Sequence, residues 1–230
     1  MKTCLYILIV ISAAFLNVRA QTVKLAPASP AAITIDGRIE DAEWKDASGF
    51  DLTGGGRVFF KTDGNLVYVA VRGIKPGWLH LYLSEAEDKD IQVLHASAAL
   101  GRIVYRKDKA GLWQPLNEFS WELRDRAFSD EVRQKQADYL TKNYWVANNV
   151  NMGNRAEIEF RIKLQNPKAK KFRLAIVYAV DRNVYHFFPA GLSDDSLKAE
   201  LVAGNRVENV KFVPSQWAEI SLETKKSKTK

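Results

Sequence analysis

The sequence predicts an all-β protein: an antiparallel β-sandwich or jelly roll with a helical insertion around residues 128–143. Three observations carry this. First, apolar and polar residues alternate in short runs, as in Leu79, Leu81 and Leu83 against Trp78, His80 and Tyr82, which is the period of a strand. Second, turn signals such as Gly54-Gly55-Gly56, Asp63-Gly64-Asn65 and Lys75-Pro76-Gly77 separate the runs, as in sandwiches and barrels. Third, the longest helical stretch is Asp130 to about Lys142, with Ser129 placed to cap it and no Gly or Pro inside.

The chain has 230 residues, one cysteine and a net charge of +7. Residues 1–20 read as a secretory signal peptide: Lys2, then an apolar run from Leu5 to Leu16, then Val18-Arg19-Ala20 with cleavage before Gln21. The apolar run is too short to span a bilayer comfortably, so no membrane span is expected after cleavage and the location is secreted or periplasmic. Cys4 leaves with the signal, and the remaining domain, 21–223, must depend on its core in place of disulfides. Losing Lys2 and Arg19 leaves a charge of +5, and four lysines of that total sit in a basic disordered tail, 224–230. No aromatics interleave with them, so no nucleic-acid role follows.

In chain order, Gln21 to Ala32 reads as an extended surface lead-in and Ile33 to Ile35 as a short strand. Asp36-Gly37 then turns the chain, and Ile39 to Trp44 fits one helical turn whose indole pins the segment to a core. Arg57–Thr62 and Leu66–Arg72 form the strongest hairpin signal. Trp78 to Leu83, Ile91 to Ala96 and Gly101 to Arg106 are further strands. Residues 112–153 interrupt the β-pattern with the helix. Strands resume at Ala156–Leu164, Phe172–Val180 and Val184–Phe188. A short helix is expected from Ser193 towards Ala203, and the last strands are Val210–Val213 and Trp217–Leu222.

The run Ile35-Asp36-Gly37, Glu40 and Trp44, the hairpin after it, the Glu157-Ile158-Glu159-Phe160 strand and the closing Pro214-x-x-Trp217 resemble carbohydrate-binding module family 9, within the DOMON-like group of β-sandwiches. The resemblance spans most of the domain outside the helical insertion. It implies a non-catalytic protein binding oligosaccharide or polysaccharide, with aromatic rings stacked on sugar faces and polar groups on the hydroxyls, in the service of carbohydrate catabolism. Aromatic faces and bidentate polar groups suit that task. The candidate stacking residues are Trp78, Trp113, Trp121, Trp145 and Tyr185, with Phe187 beside them; the alternative for each Trp is core packing. Asp36, Gly37, Trp44 and Trp217 are assigned to the structural core.

Two other functions stay open. Some DOMON-like domains carry haem for electron transfer, and Met152, His80, His95 and His186 supply the residue types. The other is a cell-envelope interaction module without a small ligand. No cofactor is expected; Glu85, Glu87, Asp88 and Asp90, and separately Asp194 and Asp195, are oxygen donors of the kind calcium takes, but their spacing matches no calcium loop. Glu157 and Glu159 share one strand face with Arg161 and Lys163. That argues charge pairing over a glycosidase pair, whose carboxylates face each other across the bond. No Gly-x-Ser-x-Gly, His-Glu-x-x-His or phosphate loop occurs, so no enzyme is expected.

Overall fold

Period-two alternation becomes strand along most of the chain. The computed structural model describes residues 21–27, 33–85, 89–97, 99–117, 119–122, 129–150, 156–166, 170–181, 184–192, 197–198 and 211–223. In order the elements are β1 (Thr22–Leu25), α1 (Asp41–Trp44), β2 (Ser48–Asp51), β3 (Arg57–Thr62), β4 (Leu66–Arg72), β5 (Trp78–Ser84), β6 (Asp90–Ala96), β7 (Leu100–Lys107), β8 (Trp113–Pro115) and β9 (Ser120–Glu122). There follow α2 (Asp130–Asn143), β10 (Trp145–Val150), β11 (Glu157–Lys163), β12 (Lys171–Asp181), β13 (Val184–Phe188), β14 (Leu197–Lys198), β15 (Lys211–Phe212) and β16 (Ala218–Leu222). Residues 1–20 and 224–230, expected to be signal and tail, and Met152, Glu87, Asp88, Asp194 and Asp195, lie outside the described residues.

Two sheets face each other. The larger runs β1-β16-β12-β5-β6-β7-β8, with β13 also on β12 and β9 also on β7; the smaller runs β10-β11-β4-β3-β2. Between them lies the main core, including Val58, Phe60, Val69, Val71, Leu79, Leu81, Leu83, Ile158, Phe160, Leu174, Ile176 and Tyr178. These are the inward residues of each alternation. The protein is therefore an all-β sandwich with a helix inserted before β10. Ser129 caps α2 by accepting from Val132 N, and Tyr144 ends it in the left-handed region at φ 65°. Its buried residues are Val132 and Tyr139, seven apart on one stripe, and Tyr139 meets Trp145 of β10 edge-on.

Both outer faces are covered in part. The segment from Ile33 to Trp44 lies over the smaller sheet, with Ile33, Ile35, Ile39 and Trp44 against Tyr68 and Ala70. Leu192, Phe212 and Trp217 cover one end of the larger sheet's outer face, against Tyr82, Ile91, Val93, Ile103 and Tyr105. The loop after β2 ties the sheets together, since Thr53 Oγ1 accepts from Phe187 N at 2.7 Å. Gly54 sits at φ 70° there, and a Cβ on it would collide with the His186 ring.

Four sequence expectations are corrected. The lead-in is not a surface strand-like spacer: Thr22–Leu25 pairs in parallel with β16 and buries Val23 and Leu25, because Thr-Val-Lys-Leu alternates and finds an open edge. Ile33–Ile35 makes no ladder; its apolar residues pack side-on over the sheet instead. The expected helix after Ser193 is contradicted at Leu197–Lys198, which pairs with Lys211–Phe212 as β14. Residues 112–153 are not wholly an interruption, since β8 and β9 pair with β7 and β10 pairs with β11.

Candidate functional site

The Ile35-Asp36-Gly37 turn and Trp44 are held by one buried carboxylate. Glu159 Oε2 accepts from Asp36 N at 3.1 Å and Gly37 N at 2.9 Å, and Oε1 accepts from Trp44 Nε1 at 2.8 Å. Gly37 adopts φ 83°, a region where Gly carries no steric cost. Glu157, two residues along the same strand face, accepts from Ile39 N at 3.2 Å and from Arg72 Nε at 2.8 Å. Burial pushes Glu159 up to about 8, although Trp44 and Gly37 as donors pull the other way. The expected pairing of these glutamates with Arg161 and Lys163 is therefore replaced: Arg161 donates to Ile33 O. The two glutamates are structural, each engaged by the segment that covers the sheet.

The aromatic candidates divide sharply. On the larger sheet's outer face, the ladders place Tyr185, Ala179 and Trp78 in one row across β13, β12 and β5. The next row holds Phe187, Val177, His80, His95, Gly101 and Trp121 across β13, β12, β5, β6, β7 and β9. Directly opposed residues share a face, so these rows form a platform at the end of the sheet not covered by Phe212 and Trp217.

Trp78 and Tyr185 are only partly buried and their ring centres are 6.4 Å apart, edge to face. Trp78 lies 4.7 Å from His80 and 5.6 Å from His95, which are 4.8 Å from each other. Both histidines are buried, at 4% and 5% exposure. Desolvation lowers His80 well below the usual imidazole range and lowers His95 to about 4, so both are neutral at pH 7. His80 Nε2 has no hydrogen-bond partner among the described residues. Gly101 is required here: a Cβ would stand 2.4 Å from the Phe119 ring, which fills that place in the row.

Trp113 and Trp145 are elsewhere. Trp113 is 8% exposed, packed edge-on against Phe212 with Lys107 over its ring. Trp145 is 1% exposed, stacked on Phe160 and capped by Tyr139. It opens a strand and not a loop, because the left-handed Tyr144 turns the chain directly into β10. Rings buried to this extent offer no open face to a sugar. Trp44 and Trp217 are buried at 4% and 0%, and Asp36 and Gly37 form the anchored turn.

No family model matches the sequence, and no curated protein does. The chain is similar to solved carbohydrate-binding structures. One is a family 9 carbohydrate-binding module from Caldicellulosiruptor kristjanssonii in complex with glucose, at 14% identity and TM-score 0.49, covering 90% of this chain and 98% of that one. The cellotriose complex of a family 9 module from the same organism gives 14% and 0.49, covering 91% and 97%. A candidate carbohydrate-binding protein from Bacteroides uniformis gives 10% and 0.46, covering 88% and 99%.

Of the described metal and haem candidates, His80 and His95 are neighbours, and the others have partners elsewhere. His186 projects from the opposite face to His80 and His95, beside Thr53 O. Asp90 is engaged by Arg106 through two bonds, at 2.6 and 2.5 Å. Glu85 accepts from Asn166 N at 3.0 Å. Among the described residues no three His, Cys, Asp or Glu side chains gather to hold a metal ion, and no helix is long and apolar enough to cross a membrane. Sequence reasoning missed Gly101 and Phe119 in the platform. The signal for Gly101 is its place in β7 opposite His95, legible only once register is known.

Proposed function

We propose that this protein is an exported, non-catalytic carbohydrate-binding protein that holds a sugar ring on Trp78 and Tyr185. The observation that carries the reading is that adjacent, part-exposed pair at the open end of the outer face. Flat indole and phenol faces stack on the apolar side of a pyranose, while the Tyr185 hydroxyl supplies a polar contact at the rim. Neutral His80 and His95 beneath stiffen the platform without adding charge. Two of the five sequence candidates thus form one surface, and Trp121 lies in the adjoining row by its backbone position. Export rests on the character of residues 1–20.

Titration calorimetry with neutral mono- and oligosaccharides tests this. W78A and Y185A should each weaken binding about tenfold or more, a loss of about 1.4 kcal/mol. Absence of heat with every glycan, or wild-type affinity in W78A, rejects the platform.

A further inference from the structure

On the opposite side of the sandwich, the cover made by Ile33 to Trp44 stops short of the sheet edge. Beyond it lies an open cleft of about 580 Å³, lined by Asp51, Gly55, Gly56, Arg57, Phe59, Arg72, Gly73 and Ile74, a size typical of small-ligand sites. Its floor is apolar: Phe59 in the sheet, and Ile74 standing 56% exposed at the rim. Its wall is the glycine loop. Gly56 sits at φ 91°, and a Cβ there would stand 2.7 Å from Arg72 O, so only glycine lets the loop close on β4.

Two guanidinium groups lie over the Phe59 ring, Arg57 at 5.7 Å and Arg72 at 6.0 Å from its centre. Arg72 is fixed from behind by Glu157 Oε1 at 2.8 Å and by donation to Ile39 O at 2.9 Å. Neither bond uses Nη1, and Arg72 lines the cleft. Among the described residues Arg57 forms an ion pair with Asp51 at 3.7 Å, with side chains 56% and 86% exposed. An exposed ion pair of that kind is weak, so a ligand carboxylate can displace Asp51.

We propose that this cleft is a second binding site, for a six-membered ring bearing a carboxylate: a hexuronate residue of an acidic glycan. The ring lies against exposed Ile74, beside Phe59, and the carboxylate is gripped by Arg57 with Arg72 alongside. Guanidinium forks match carboxylates in geometry as well as charge. The sugar nature of the ring rests on the function proposed above; the requirement for a carboxylate does not. The two sites lie on different sheets, so either can fail alone.

The test is amide and indole NMR of the full folded chain, titrated separately with glucuronate, glucose and benzoate. Glucuronate should shift Gly55, Gly56 and Gly73, and glucose should not. In R57Q the glucuronate affinity should fall about tenfold or more, and in D51N it should rise about threefold, as the competing carboxylate is removed. Four results overturn the proposal: no shift at these glycines, glucuronate shifts confined to the Trp78 indole, weaker binding in D51N, or benzoate binding as tightly as glucuronate. The last would make the cleft a general ring-acid site and not a uronate site.

Discussion

At the scale of single residues, Glu159 decides how the entry segment is fixed. Its two oxygens face only donors, two backbone N–H groups and an indole N–H. Gln cannot replace it without turning one acceptor into a donor against a donor. Above about pH 8, where the Glu159 carboxyl is ionised, E159Q should therefore destabilise the fold by about 1–3 kcal/mol, the cost of a buried polar group left unsatisfied. Denaturant unfolding measures this, and an unchanged midpoint would contradict the anchoring role. The pinning indole was legible in the sequence, since Trp44 follows a turn and a helical turn. Its partner was not. Glu157, Glu159, Arg161 and Lys163 alternate with apolar residues, and that pattern is the same for a face in water and for one roofed by another segment.

Among elements, α2 and β10 carry a strain that the sequence half conceals. Ser129 and the absence of Gly or Pro announce the helix, and its observed span matches. Its end falls on Tyr144, left-handed at φ 65° and 43% exposed, where Gly is the usual residue. Y144G should raise stability by about 1 kcal/mol, the order of the cost a side chain bears in this region, because an exposed ring gives up little packing in exchange. A lower melting temperature in Y144G would show that the tyrosine ring contributes more than its backbone costs. The same turn explains why Trp145 reads as a loop aromatic in sequence. Nothing in the order Asn143-Tyr144-Trp145 states that the next residue is already in a ladder with Ile162. β1 was obscured for a related reason: four alternating residues are too few to outweigh the Pro- and Ala-rich stretch behind them.

Across the whole molecule, each outer face of the sandwich buries titratable groups, beneath the Ile33–Trp44 cover on one and within the Trp78 platform on the other. On the smaller sheet, Glu159 is raised to about 8 against an ordinary carboxyl near 4.5. Between those values the native state holds a proton the unfolded chain has lost, so this contribution falls as pH rises through that window. On the larger sheet, His80 is lowered well below, and His95 to about 4, from an ordinary value of 6.5. Below 6.5 the unfolded chain takes up two protons that the native state refuses, so stability falls with acid. Between about 4.5 and 6.5 the two histidines outweigh the one carboxyl, and above about 6.5 the carboxyl acts alone. The melting temperature should therefore peak near pH 6.5 and decline on both sides. In H95N the acid limb should become shallower, and in E159Q the alkaline decline towards pH 8 should disappear. A melting temperature that rises steadily from pH 6.5 to 8 in the wild type would mean that the N–H donors around Glu159 outweigh its burial and keep it ionised throughout. The roof would then be held by charge, and the alkaline limb would have no source in this carboxylate.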